Sequence, residues 1–322
     1  MLKFALLWLL VRVAGRLPSR VLYRAADAAG TLCWLLSARL RTTTRDHMRH
    51  VLSADTERRL SAAEVDRAAS GAVRSAARYY ADFARSSHLS PQQAFDEVEH
   101  FDGINHLFAA LDRGCGVIMA SAHLGSPEYI FHAASYLGLE MVVLTEPLEP
   151  PRVHDFVHEV RAAPGVRFVP ADRDGLRETL AALRQGRMVA VLADRDVQGA
   201  GQAVTFFGER ASLPAGPVQL ALRTGAAIVP VFGMRTGTGR YDVVFRPPLE
   251  LQRSDDRAAD LAAGMRLLAR ALEEGIAAAP EQWFVLQPLW AGLAHGRGQG
   301  SAQAERGNGS ERTLSGDERS RE

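Results

Sequence analysis

Beyond about residue 97, short apolar runs alternate with amphipathic stretches. The runs at 116–120, 141–144, 166–169, 188–193, 227–232 and 241–246 have strand length and are mostly apolar, which predicts strands covered on both faces. Helical spacing of apolar positions predicts helices over 127–137, 153–162, 175–184, 217–223 and 256–278. Alternation of this kind implies an α/β fold with a central mixed, mostly parallel sheet flanked by helices. In such sheets the chemistry sits beyond the carboxyl ends of the strands. Thr236-Gly-Thr-Gly239 falls between two strands and predicts a hairpin turn.

The first 90 residues follow a helical pattern. Apolar runs cover 4–14 and 21–40, and Ser61-Ala-Ala-Glu64 is a capping box that opens a helix to about Arg85. Ser90-Pro91 then punctuates the chain. Three regions follow: a helical N-terminal region (1–90), an α/β domain (91–293) and a tail (294–322). Leu314 is the only large apolar residue of the tail, a composition that predicts disorder.

The N-terminal runs bear on location. The first is short for a membrane span, and Arg12, Arg24 and Asp27 interrupt the two. No cleavage site of signal-peptide type follows. The breadth of the apolar stripe favours amphipathic helices lying in a membrane interface, with Trp8, Trp34 and flanking arginines at headgroup level. A buried hairpin is the alternative. The expected setting is the cytoplasmic membrane, with the catalytic domain on its cytoplasmic face. The two cysteines, Cys33 and Cys115, lie far apart and suggest neither a disulfide framework nor a zinc site. A formal net charge of +1 provides no overall field for nucleic acid, and none is expected as a partner. Lys3 is the only lysine, so almost every cation is an arginine, suited to bidentate binding of carboxylate or phosphate.

Candidate chemistry centres on His123-Leu-Gly-Ser-Pro-Glu128, directly after the strand at 116–120. Ser126 can cap the following helix, Pro127 suits its first turn, and Glu128 falls in that turn. With Gly125 in the loop, Glu128 can fold back to the His123 ring. A histidine oriented by a carboxylate is a general base near neutral pH. Asp194, Arg195 and Asp196 lie just past the strand at 188–193. They suit sugar hydroxyls, a second carboxylate near His123, or a surface salt bridge. His154 and His158 are four apart on a helix, with no carboxylate spaced for a zinc protease, and read as a solvated face. No metal is implied.

His-x4-Glu after an apolar strand resembles the signature of the lysophospholipid and glycerolipid acyltransferase superfamily. The form His-Leu-Gly-Ser-Pro-Glu is similar to its lipid A and phosphatidylinositol mannoside acyltransferase branch. Further segments carry the resemblance: Leu144-Thr-Glu-Pro-Leu, Leu192-Ala-Asp-Arg-Asp-Val197, Phe206-Phe-Gly-Glu-Arg-Ala, Leu213-Pro-Ala-Gly-Pro217, Thr224-Gly-Ala-Ala-Ile-Val-Pro230 and Pro280-Glu-Gln-Trp283. The likeness covers roughly residues 1–290, with the mannoside enzymes closest. Ser126-Pro127 departs from it, since many members have Asn and an aromatic there.

The resemblance implies an O-acyltransferase that needs no cofactor. Its co-substrate is acyl-CoA or an acyl carrier protein, and its acceptor is a glycolipid such as a phosphatidylinositol mannoside. Lipid A-like or lysophospholipid acceptors, or a non-catalytic lipid-binding protein on the same fold, are the alternatives. By the same resemblance His123 is the base and Glu128 holds its ring, with no covalent intermediate. Glu146, Arg161, Asp194, Arg195, Asp196, Glu209 and Arg210 become substrate-binding candidates. Arg161 is placed at a phosphate, and Glu209 and Arg210 at a polar headgroup. Backbone amides near Gly125 or in a later loop are candidates for the oxyanion.

Overall fold

The computed structural model describes residues 2–54, 60–146, 148, 150–197 and 199–290. The tail expected at 294–322 lies outside them. Among the described residues the N-terminal region contains four α-helices: α1 (Leu2–Arg12), α2 (Ser19–Leu36), α3 (Ala38–Ser53) and α4 (Ala62–Ser86). The Ser61 capping box opens α4 as expected. Ser61 Oγ accepts from Glu64 N–H at 3.3 Å, and Glu64 Oε2 accepts from Ser61 N–H at 2.9 Å. The chain continues through α5 (Pro91–Phe95), β1 (Val98–Asp102), α6 (Ile104–Leu111), β2 (Val117–Ser121), α7 (Glu128–Tyr136), β3 (Met141–Thr145), α8 (Pro151–Arg161), β4 (Val166–Pro170), α9 (Arg173–Arg184) and β5 (Met188–Leu192). It ends with β6 (Gln202–Phe206), β7 (Glu209–Leu213), α10 (Gly216–Thr224), β8 (Ala227–Gly237), β9 (Arg240–Phe245) and α11 (Arg257–Ala278).

Seven strands form one sheet in the order β1-β9-β8-β2-β5-β3-β4. All neighbours are parallel except β8 and β9, which form the hairpin expected at Thr236–Gly239. β1, α6 and the β6–β7 pair are elements that the apolar pattern did not predict. β1 reads Val-Glu-His-Phe-Asp and is largely exposed at the sheet edge, so it lacks the apolar run of a buried strand. β6 and β7 form a separate two-stranded sheet packed against α11.

Alternation along β2 supplies two layers of core. Ile118 and Ala120 meet α9, α10 and α11 on one face. Val117 and Met119 meet α6 and α7 on the other. Val65, Ala69 and Ala72 of α4 belong to the first of these clusters, so the helical region and the sheet share a core.

Among the described residues no helix is long and apolar enough to cross a membrane. The N-terminal helices nevertheless leave large apolar side chains in the open, including Trp8, Leu9, Val21, Leu32, Leu35 and Leu36, the last 77% exposed. A hairpin buried in the protein would have covered them. Trp34 instead lies beneath the Arg45 guanidinium, 5.4 Å from its centroid.

Within the core, His47 of α3 packs against Trp283 and Trp290. Its Nδ1–H donates to Val285 O at 3.1 Å, while its buried Nε2 has no hydrogen-bond partner among the described residues. Burial lowers its pKa to about 4 from an ordinary 6.5. The folded imidazole therefore stays neutral where the unfolded one is protonated. Stability from this site is complete above pH 6.5 and is lost as pH falls towards 4. Urea unfolding at pH 7 and pH 4.5 is expected to reveal roughly 2–3 kcal/mol of acid-dependent loss at this site, at 1.36 kcal/mol per pKa unit. A His47→Phe variant should show a pH dependence shallower by that amount. An unchanged dependence would place the acid sensitivity elsewhere.

Candidate active site

β2 and β5 pair in register, from Val117 opposite Met188 to Ser121 opposite Leu192. Ala193 extends the match by donating its N–H to Ser121 O at 2.8 Å. Two residues past each strand, His123 and Asp194 consequently meet. Asp194 Oδ1 accepts from His123 Nδ1 at 2.7 Å. Its Oδ2 accepts the His123 backbone N–H and the Trp283 indole N–H, both at 2.8 Å.

Asp194 is fully buried. Burial alone would raise its carboxyl pKa, but the charge and hydrogen bonds of His123, together with the Trp283 indole, hold it below the ordinary carboxylate range. An ionised carboxylate only accepts, so His123 Nδ1 carries a proton, and in the neutral form of the ring Nε2 is the nitrogen with a free lone pair. Phe284 braces the same loop: its N–H donates to His123 O at 2.9 Å, and its ring stands edge-on to the imidazole.

Glu128 does not reach the imidazole as the spacing suggested. It opens α7 as its first residue, is 2% exposed, and faces α4 and α8. Its Oε1 accepts from Arg161 Nη2 and Tyr79 Oη, both at 2.9 Å, and from Arg161 Nε at 3.1 Å. Arg161 Nη2 also donates to Tyr79 Oη at 2.7 Å. The Arg161 guanidinium stacks near Phe83 and Phe168. Burial disfavours its charge, but Glu128 and Tyr79 more than offset this and keep it firmly protonated. Arg161, expected at a phosphate, pairs with Glu128 and also lines the cavity beside His123. The position on the helix was legible in the sequence, whereas the direction of the side chain depended on packing against α4 and α8.

The expected cap is also absent. Pro127 precedes α7 and Ser126 Oγ makes no hydrogen bond among the described residues, although Ser126 is wholly buried. Gly125 is required where it stands: its φ is +60°, and a Cβ would lie 2.1 Å from Gly233 O. The amides proposed for an oxyanion are engaged in this loop. Gly125 N–H donates to Gln282 O at 3.1 Å and Ser126 N–H to Gly233 O at 3.0 Å.

The remaining candidates separate into two groups. Glu146 follows β3 and Arg195 follows β5, and because these strands are neighbours the two side chains pair. Arg195 also donates to Gln287. Both Glu146 and Arg195 line the cavity beside His123. Asp196 turns away from it. Its carboxylate accepts from Gly199 N–H, Gly201 N–H and Ser212 Oγ at 2.8–2.9 Å, which stabilises the excursion into β6. Burial would raise its pKa, but those donors lower it. Glu209 and Arg210 begin β7, after the turn at Phe207-Gly208, and do not line the cavity. Glu209 Oε2 pairs with His50 Nε2 at 2.6 Å, and the His50 ring stacks on Trp290. The β6–β7 sheet packs on α11, so these two residues are not placed beside His123. His158, expected on a solvated face, lines the cavity beside Thr145.

The cavity itself measures about 520 Å³. His123, Arg195, Glu146 and Arg161 line it together with many apolar side chains. Met119, Ile130, Phe131, Val143, Ala190 and Val231 form an apolar wall drawn from β2, α7, β3, β5 and β8. A cavity with an apolar wall next to a histidine that can act as a base suits a reaction of a fatty acyl chain. Trp283, Phe284 and Tyr79 were not among the expected site residues. Only Trp283 had a signal, as the last residue of the Pro280-Glu-Gln-Trp283 segment.

Comparison with known proteins is consistent with this chemistry. Residues 1–291 match the family described as bacterial lipid A biosynthesis acyltransferase. The chain is 30% identical over 217 residues to a phosphatidylinositol mannoside acyltransferase of Mycobacterium tuberculosis, covering 66% of this chain and 67% of that protein. A protein of the same name from Mycolicibacterium smegmatis is 30% identical over 219 residues, covering 66% and 69%.

Proposed function

Since this chain belongs to the bacterial lipid A biosynthesis acyltransferase family and is an acyltransferase, we propose that it transfers a fatty acyl group from acyl-CoA or an acyl carrier protein to a hydroxyl of a phosphatidylinositol mannoside or similar glycolipid. The observation that carries this reading is the His123–Asp194 pair beside the apolar cavity. His123 Nε2 takes the acceptor hydroxyl's proton as the oxygen attacks the thioester carbon. Asp194 holds the ring and stabilises the imidazolium. The tetrahedral intermediate collapses by breaking the C–S bond, and the imidazolium returns its proton to the departing sulfur. Acylated lipid and free thiol result, and no group on the protein is acylated. The apolar wall around Met119, Phe131 and Ala190 holds the acyl chain.

The same reading places the enzyme on the cytoplasmic membrane, facing the cytoplasm. The exposed apolar side chains of α1 and α2, with the arginines beside them, support an interfacial rather than a spanning attachment. A lipid A-type or lysophospholipid acceptor would use the same atoms, so acceptor choice is the point to test. Purified protein is to be incubated with radiolabelled palmitoyl-CoA and each acceptor in turn. Label is expected in phosphatidylinositol mannoside with matching release of CoA. Label retained on the protein, or palmitate released equally with and without acceptor, would overturn direct transfer.

A further inference from the structure

A second cleft, of about 790 Å³, lies between α2, a different face of α4, the tip of the β8–β9 hairpin and residues 278–282. Arg20, Arg24, Arg74, Arg78 and Arg235 line it. Their charges are unequally compensated. Arg78 grips Asp27 with two hydrogen bonds at 2.5 and 2.7 Å, and Arg235 pairs with buried Asp82 at 2.5 Å. Arg20, Arg24 and Arg74 have no ion pair among the described residues, and Arg74 only reaches Ser70 Oγ at 3.3 Å. Glu281 is the one lining carboxylate left over, so about two positive charges remain uncompensated in the cleft. Arg235 also lines the cleft, and its buried Nε–H has no acceptor among the described residues. A guanidinium donor left unmet is costly.

We propose that this cleft is a binding site for a phosphate-bearing ligand, held chiefly by Arg20, Arg24 and Arg74. A tetrahedral oxyanion with one or two charges matches the uncompensated charge, and guanidinium forks match its geometry. The setting suits a lipid headgroup as well as a soluble phosphate, because α2 also carries the exposed Val21, Leu32 and Leu35. The cleft is separate from the acyl cavity, with no residue common to the two linings. The site is therefore independent of the acceptor chosen at His123.

The test uses the full chain and two double variants of equal charge change. Arg24→Gln with Arg74→Gln removes two cleft cations that hold no ion pair. Arg16→Gln with Arg39→Gln removes two exposed cations of the same N-terminal region outside the cleft. Binding is measured to glycerol 3-phosphate by calorimetry, and to phosphatidylcholine vesicles with and without phosphatidylglycerol by sedimentation. Thermal unfolding confirms that each variant folds, and the single Arg24→Gln variant serves if the cleft pair does not. The cleft pair is expected to weaken binding at least tenfold, and the control pair less than threefold. Loss in the calorimetric titration assigns a soluble phosphate, and loss confined to phosphatidylglycerol vesicles assigns a lipid headgroup. Equal loss in both variants, or binding unaffected by the cleft pair in both assays, would overturn the proposal.

Discussion

Acyl transfer by a His123→Ala variant is expected to fall to background, and by Asp194→Asn to drop by roughly 10²–10⁴-fold, the range for a misdirected general base. The second number follows from the hydrogen bonds. Asp194 Oδ2 accepts two N–H groups, from the His123 backbone and from Trp283. An asparagine that keeps both must place its oxygen there and turn its NH₂ towards His123 Nδ1. Nδ1 must then accept, which moves the ring proton to Nε2 and removes the lone pair that takes the acceptor's proton. Because two of the three bonds survive, the fold should hold, and thermal unfolding is the check. Initial rates with palmitoyl-CoA and a lipid acceptor give the activity. Near-normal activity in Asp194→Asn, with a larger loss in Glu128→Gln, would return the orienting role to Glu128.

Glu128→Ala is expected to act first on stability. Removing one partner of a buried pair leaves the other charge uncompensated, at a typical cost of about 3–5 kcal/mol. Arg161 also lines the cavity, where water can reach part of it, so the lower end applies. For a domain of this size that corresponds to a fall in Tm of roughly 6–12 °C. The double variant Glu128→Leu/Arg161→Met, which leaves neither charge behind, should recover most of the loss. Scanning calorimetry on the three proteins decides the matter. A double variant no more stable than Glu128→Ala would show that Glu128 and Arg161 do not act as a stabilising pair.

These two expectations differ because the same six-residue motif splits between two networks. His123 ends on Asp194, while Glu128 ends on Arg161 and Tyr79. Spacing in the chain favours the nearer carboxylate, since four intervening residues, one of them a glycine, allow a loop to fold back. The sheet favours the other, since adjacent parallel strands in register bring their ends together whatever their separation in sequence, here 71 residues. The same logic pairs Glu146 with Arg195 across β3 and β5. It also explains why Asp196, just two residues past Asp194, serves a different purpose: by then the chain has left the strand end for the loop into β6.

Local pattern in the chain was enough for the α/β class, the six strands with apolar runs, the α4 capping box and the place of His123 just past a buried strand. Each of these follows from local periodicity or from a cap formed by residues three apart. Edge strand β1 and the β6–β7 pair escaped it, because a strand covered on one face or none carries no apolar run. Packing of distant segments settles which carboxylate meets the imidazole, which of the described arginines remain without a counterion, and that apolar side chains of α1 and α2 stay uncovered. Those outcomes depend on strand order, on register and on which helix packs over which face, and none of these is written within any single segment of the chain.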